Sequence, residues 1–318
     1  MYDAPIEIMS GSDEIFDVSF LRDMYPDFRA TELLEEKESH SQNARNFMHF
    51  LLNGLRLSVW DVGNPLPLIV ALGRNSIFSA RDRLPESLKN FLSDPFIKAV
   101  DEERNPDLLW AVRNEFHNVF FFMAEHLQKF SDIDPGDVDS EIILKYQFLI
   151  NNLLALYAMV EPDQDEKISL PVYARDKWIT ADFTIDRIPL VSDDVVHRLG
   201  DVFEESKDQV YSYGLRPDRD DIQPGIIFKG TTFPQGEGKR MQDITNFIPD
   251  LDVGQMLFCW GRENVSNWLS QFPLRCHVSG ASLGGILATM FSMAMPERFD
   301  QVYAINPSNV KNSQPIVN

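Results

Sequence analysis

In the first half of the chain apolar residues recur at the three- and four-residue steps of a helix face. In the second half they alternate with polar residues or run together as in buried strands. From Gln42 to Trp60 the positions Phe47, Phe50, Leu51, Leu55 and Val59 share one face, and Gly63-Asn64-Pro65 with Pro67 ends that helix. A second helix is predicted over Asp107 to Phe130. Asn105 caps it, Pro106 fits its first turn, and Leu109, Val112, Phe116, Val119, Phe120, Met123 and Leu127 stack on one side. A third starts at Asp139 or Ser140 and reaches Met159; it is nearly apolar from Phe148 onward, so it should be buried on most sides. Leu66 to Leu72 fits either a buried strand or a short helix. Residues 42–160 therefore read as an all-helical domain or helical cap, and the acidic, mixed stretch 1–41 as a partly ordered arm.

The pattern changes at the charged linker Glu161-Pro162-Asp163-Gln164-Asp165-Glu166, where a domain boundary is expected. Beyond it, Ile168 to Val172 and Trp178 to Ile188 alternate around Ala174-Arg175-Asp176-Lys177, the signature of a half-buried hairpin. Asp193 to Tyr211 reads as one amphipathic helix capped by Ser192, with Val196, Leu199, Val202, Phe203 and Val210 inward. Gly225-Ile226-Ile227-Phe228 is an apolar strand that runs into Lys229-Gly230-Thr231-Thr232 and a loop containing Gly and Pro. Near the end, Cys276 to Gly280 reads as a strand, Ile286 to Met295 as a helix and Gln301 to Ile305 as a further strand. The expected class is α/β.

Composition narrows the chemistry. Against 29 Lys and Arg stand 49 Asp and Glu, a formal charge of -20 that repels nucleic acid and anionic membrane surfaces over most of the exterior. Both cysteines, Cys259 and Cys276, lie in apolar, strand-like contexts and read as reduced core residues without a disulfide. Acidic residues precede the first basic one, Arg22, the reverse of a secretory signal. No uninterrupted apolar run approaches the roughly 20 residues of a transmembrane helix. A cytoplasmic protein is expected.

No cofactor or metal is expected either. Asp132 to Asp139 resembles a calcium loop, but Ile143 stands where that loop needs a bidentate Glu, so it reads as an acidic turn. His117 and His126 lack the four-residue spacing that would put both on one metal.

The chemistry concentrates at Gly280-Ala281-Ser282-Leu283-Gly284-Gly285. A strand that turns sharply into a helix exposes the hydroxyl of the residue at the turn, and small neighbours allow the close approach the turn requires. Ser282 is the candidate nucleophile, with Gly280, Gly284 and Gly285 shaping the elbow. The turn after the Gly225–Phe228 strand makes Thr231 a candidate oxyanion donor. His277 shares the strand before Ser282 and reads as a strand residue without a catalytic role.

Together, Phe228-Lys229-Gly230-Thr231, Val253-Gly254 with Phe258, Trp268-Leu269 and Val278 to Gly285 resemble a class 3 lipase, a branch of the α/β-hydrolases. The resemblance spans roughly residues 220–310; Ala281 replaces the family's usual histidine before the serine. It implies an α/β-hydrolase-like sheet over residues 161–318, and a serine hydrolase that cleaves a lipid or small carboxylic ester. It also implies an oxyanion hole formed by Thr231 and Leu283. The family's triad acid and histidine follow the serine, whereas the 36 residues after Ser282 hold no histidine, and Asp300 is their only aspartate. The sheet is therefore expected to be incomplete after the strand that follows the nucleophile helix, and the hydrolase to be inactive or incomplete in this chain. The alternative expectation is a non-catalytic, hydrolase-like protein whose acidic helical half binds a protein partner.

Overall fold

The computed structural model describes residues 19–26, 29, 36–58, 106–131, 140–200, 202–232, 236–246 and 252–305. The expectations for 66–72 and for the acidic turn 132–139 lie outside the described residues, as does much of 1–41. Four helices come first, α1 (Ser19–Arg22), α2 (Glu36–Ser58), α3 (Pro106–Ser131) and α4 (Ser140–Tyr157). Strands β1 (Lys167–Ala174) and β2 (Lys177–Pro189) follow, then α5 (Asp193–Leu199), α6 (Glu205–Asp208), β3 (Tyr211–Pro217) and β4 (Gly225–Phe228). The remainder is α7 (Lys239–Asn246), α8 (Gln255–Leu269), β5 (Cys276–Ala281), α9 (Leu283–Ala294) and β6 (Phe299–Ile305).

The strands form one mixed sheet in the order β1-β2-β3-β4-β5-β6, so the class is mixed α/β. β1 to β4 pair antiparallel, while β4, β5 and β6 are parallel. The hairpin β1–β2 closes at Ala174↔Lys177 through Arg175 and Asp176, both at positive φ (54° and 61°), the two-residue turn whose twist matches the strands it joins.

The single helix expected over 193–211 is not formed. α5 stops before Gly200, Val202 is 59% exposed, and Tyr211 begins β3, a central strand between β2 and β4. The helical spacing over 193–211 reaches only the first residue of β3, and Gly214 and Pro217 break the apolar run of 212–217 that would have marked the strand.

The sheet separates two cores. On one face α2, α3 and α4 bring Met48, Phe116, Phe120, Tyr146 and Leu153 against Ile168, Phe183, Leu215 and Ile227. On the other, α8 and α9 bring Leu257, Val265, Leu287 and Phe291 against Ile226, Phe228 and Val278. Neighbours along β4 thus enter opposite cores, as strand alternation requires. The helices before residue 161 share their core with the sheet, and that core is continuous across the 161–166 linker.

Part of the N-terminal arm is docked on this layer. Leu21 and Tyr25 are buried, Asn46 bonds the Arg29 backbone in both directions, and the Phe20 ring stacks on His126. Helix α4 belongs to the only stretch among the described residues (Ile142–Val160) long and apolar enough to cross a membrane, and it is largely buried. It lies on the sheet beside α3, packed chiefly over β5.

The linker 161–166, where the chain passes from helices to sheet, is held by polar contacts. Arg113 donates to the Glu161 carbonyl (2.9 Å) and pairs with Asp163 (2.8 Å); Tyr157 donates to Glu166 (2.6 Å), and His117 Nε2 lies 3.0 Å from the same carboxylate oxygen. Burial pushes the Glu166 carboxyl up, but hydrogen bonds from His117, Tyr157 and the Asp163 N–H, with the Arg113 charge, outweigh it and hold it at about 2. Above pH 4.5, its ordinary value, this carboxylate contributes fully to stability. As pH falls from there toward 2, the unfolded chain takes up a proton that the folded chain refuses, and the contribution is lost. Glu166→Gln should therefore be less stable than wild type at pH 6, and the gap in urea midpoint should close between pH 4.5 and 2. A gap independent of pH over that window would contradict the assignment.

Candidate active site

Ser282 stands between the end of β5 and the start of α9 with φ 55° and ψ -121°. A residue with a Cβ costs of order 1–3 kcal/mol in such a conformation, so the surroundings must impose it. Two backbone hydrogen bonds do so. The Ser282 N–H donates to the Ile305 carbonyl at the end of β6 (3.0 Å), and the Ser282 carbonyl accepts the Ile286 N–H in the first turn of α9 (3.1 Å).

The flanking glycines make this possible. A Cβ on Gly280 would lie 2.3 Å from the Gly284 carbonyl oxygen, and one on Gly284 would lie 2.0 Å from the Phe228 carbonyl oxygen. Gly285 is less crowded, its Cβ position lying 3.1 Å from the Ile305 oxygen. Backbone therefore meets backbone where β4, β5, β6 and α9 converge. Phe228 pairs with Gly280, so Lys229-Gly230-Thr231 leaves the sheet directly beside the first turn of α9.

Three of the residues singled out in the sequence thus share one edge of the sheet: Ser282, Leu283 and Thr231. Ser282 and Thr231 are half-buried. The Leu283 side chain is in the core against Gly254, but its N–H belongs to the first turn of α9, where amides lack intrahelical partners. The Thr231 N–H makes no backbone hydrogen bond among the described residues. Two amides beside a half-buried serine can stabilise the oxygen that becomes negative when the serine attacks a carbonyl.

Among the described residues the histidines and Asp300 lie elsewhere. Of the six histidines, His40 and His49 are on α2, His117 and His126 on α3, His197 is exposed on α5, and His277 is on β5. The His277 ring lies against Gly225 and borders a cavity of about 70 Å³ between α4 and the sheet, lined also by Asn151, Trp178 and Gln301. Burial holds its imidazole at about 4. It precedes Ser282 by five residues, about 16 Å of strand rise. Among the described residues the Ser282 Oγ has no hydrogen-bond partner.

Asp300 falls inside β6, which starts at Phe299, and bonds Gln223 (2.9 Å) and faces Arg275 (3.5 Å) at the strand's N-terminal end, opposite Ser282. Cys259 departs from expectation, being exposed on α8, whereas Cys276 is buried and its thiol is pushed up by that burial.

Sequence reasoning missed a buried polar group behind Thr231. Lys229 is 2% exposed and pairs with Glu161, itself 8% exposed. A lysine ending an apolar strand was the available sign. Glu161 had none, because it opens a charged linker that reads as solvated.

Comparison of the chain with known protein families, with curated proteins and with solved structures gave no match.

Ser282→Gly should raise stability by about 1 kcal/mol, because glycine adopts this backbone without the Cβ clash. Ser282→Ala, which keeps the Cβ, should not. Urea unfolding distinguishes them, and a less stable glycine variant would mean that Ser282 is not strained.

Proposed function

We propose that this chain carries the nucleophile and oxyanion half of a serine hydrolase acting on carboxylic esters. The observation that carries the reading is the Ser282 backbone, held at positive φ between strand and helix beside the Thr231 turn. In the reaction, Ser282 Oγ attacks the ester carbonyl while the Thr231 and Leu283 amides receive the developing negative oxygen. Among the described residues no base meets the half-buried Ser282 Oγ, so its proton passes to solvent water. Collapse of the intermediate expels the alcohol, protonated by water, and leaves the acyl group on Ser282. The resemblance of this edge to class 3 lipases suggests a lipid or phospholipid ester as substrate and an α/β-hydrolase kinship for the fold.

The lone Ser282 Oγ also favours a second reading, a hydrolase-like module that binds a partner through its acidic helical half without catalysis. Oxyanion hole and binding alone leave roughly 10³- to 10⁴-fold acceleration over water when a triad is removed, so weak turnover does not separate the two.

Covalent labelling does. A fluorophosphonate should modify Ser282, and not Ser282→Ala, in this chain or in one extended at its C terminus. Absence of labelling in both would sink the hydrolase reading. His277→Ala should leave any esterase rate within about threefold of wild type, because the ring faces the α4 cavity; a loss of several orders of magnitude would place His277 in the reaction.

A further inference from the structure

The loop that carries Thr231 is gripped from two sides. Gln242, on α7, is fully buried. Its Oε1 accepts the Thr232 N–H (2.6 Å) and its Nε2 donates to the Gly230 carbonyl (3.3 Å). One planar amide thus holds a backbone group on each side of Thr231. The Gln242 backbone is itself anchored, its N–H donating to the Gly238 carbonyl (2.8 Å).

The other grip is the buried pair. Lys229 Nζ and Thr232 Oγ1 both donate to the Glu237 carbonyl (3.3 and 3.1 Å), and the Glu237 N–H donates to Glu161 (2.9 Å). The Glu237 carboxylate in turn pairs with Arg187 of β2. The two ends of the loop are therefore tied together and to the helical layer, which leaves Gln242 to set the orientation of the peptide between them.

We infer that Gln242 is a positioning residue for the oxyanion site, fixing the direction of the Thr231 N–H through the two flanking peptide groups. The inference rests on the Ser282 reading above. An oxyanion donor must lie within a few tenths of an ångström of its place, and a misplacement of about 1 Å costs on the order of 100-fold in rate. A methionine at 242 fills similar space without either hydrogen bond. A glutamate keeps an acceptor for Thr232, and when protonated it also donates to the Gly230 carbonyl; when ionised it sets a negative oxygen against that carbonyl.

The test is the rate of Ser282 modification by an alkyl fluorophosphonate, followed by intact mass in the full chain. Gln242→Met should react about 100-fold more slowly than wild type with an unchanged saturation constant for the probe. The rate of Gln242→Glu relative to wild type should rise as pH falls through the pKa of the new carboxyl, a pH dependence that a purely structural role would not create. If wild type reacts and Gln242→Met keeps pace within threefold, the role of Gln242 is overturned while the Ser282 reading stands. If Gln242→Met does not fold, a flat pH ratio for Gln242→Glu overturns it instead. A wild-type Ser282 that is unreactive both in this chain and in one extended at its C terminus removes the hydrolase reading and this inference with it.

Discussion

Contact of backbone with backbone at Gly284 governs the C-terminal edge of the sheet. The Phe228 carbonyl occupies the space a side chain would need, so the end of β4 lies directly on the first turn of α9. With Gly280 crowded against the same turn, the chain between β5 and α9 has room for one residue only, and that residue must take a positive φ. Ser282 takes it because two hydrogen bonds, to β6 and within α9, outweigh the strain. The same crowding brings the Thr231 turn beside it.

Behind that edge lies an arrangement that apolar packing alone would not produce. Taking Lys229 and Glu161 out of water costs several kcal/mol per charge, and their attraction offsets this only when the remaining donors and acceptors are also satisfied. Here they are satisfied by the backbone of one loop, at the Glu237 N–H and carbonyl. The charges therefore specify where the loop sits more than they add to stability. They also join the helical layer to the edge of the sheet that carries Ser282, since Glu161 directly follows the short 3₁₀ turn after α4, and its carbonyl accepts Arg113 of α3.

Helix α4 shows how context decides the meaning of a hydrophobic segment. By length and mean hydropathy it could span a bilayer, yet it packs against the sheet beside α3 and is largely buried there. Among the described residues, exposed Asp and Glu pair with scattered Arg and Lys, such as Arg219–Asp221 and Lys167–Asp218. Exposed pairs of this kind contribute little to stability but keep the exterior polar.

What was legible in the chain was local. The helices over 36–58, 106–131 and 140–157 and the β1–β2 hairpin follow from periodicity and turn residues a few positions apart. The elbow was legible for the same reason, because its glycines, serine, apolar strand and apolar helix are contiguous. What escaped was non-local. β3 is a strand because β2 and β4 claim both of its edges, although its approach has helical spacing. Glu161 and Lys229, 68 positions apart, meet only after the sheet has formed, as does the amide of Gln242 with the turn ten residues before it. By itself the sequence determined a strained serine between a strand and a helix, since that turn is built from neighbours. Tertiary structure alone decided which groups surround it, because the burial and pairing of polar side chains depend on which distant elements come together.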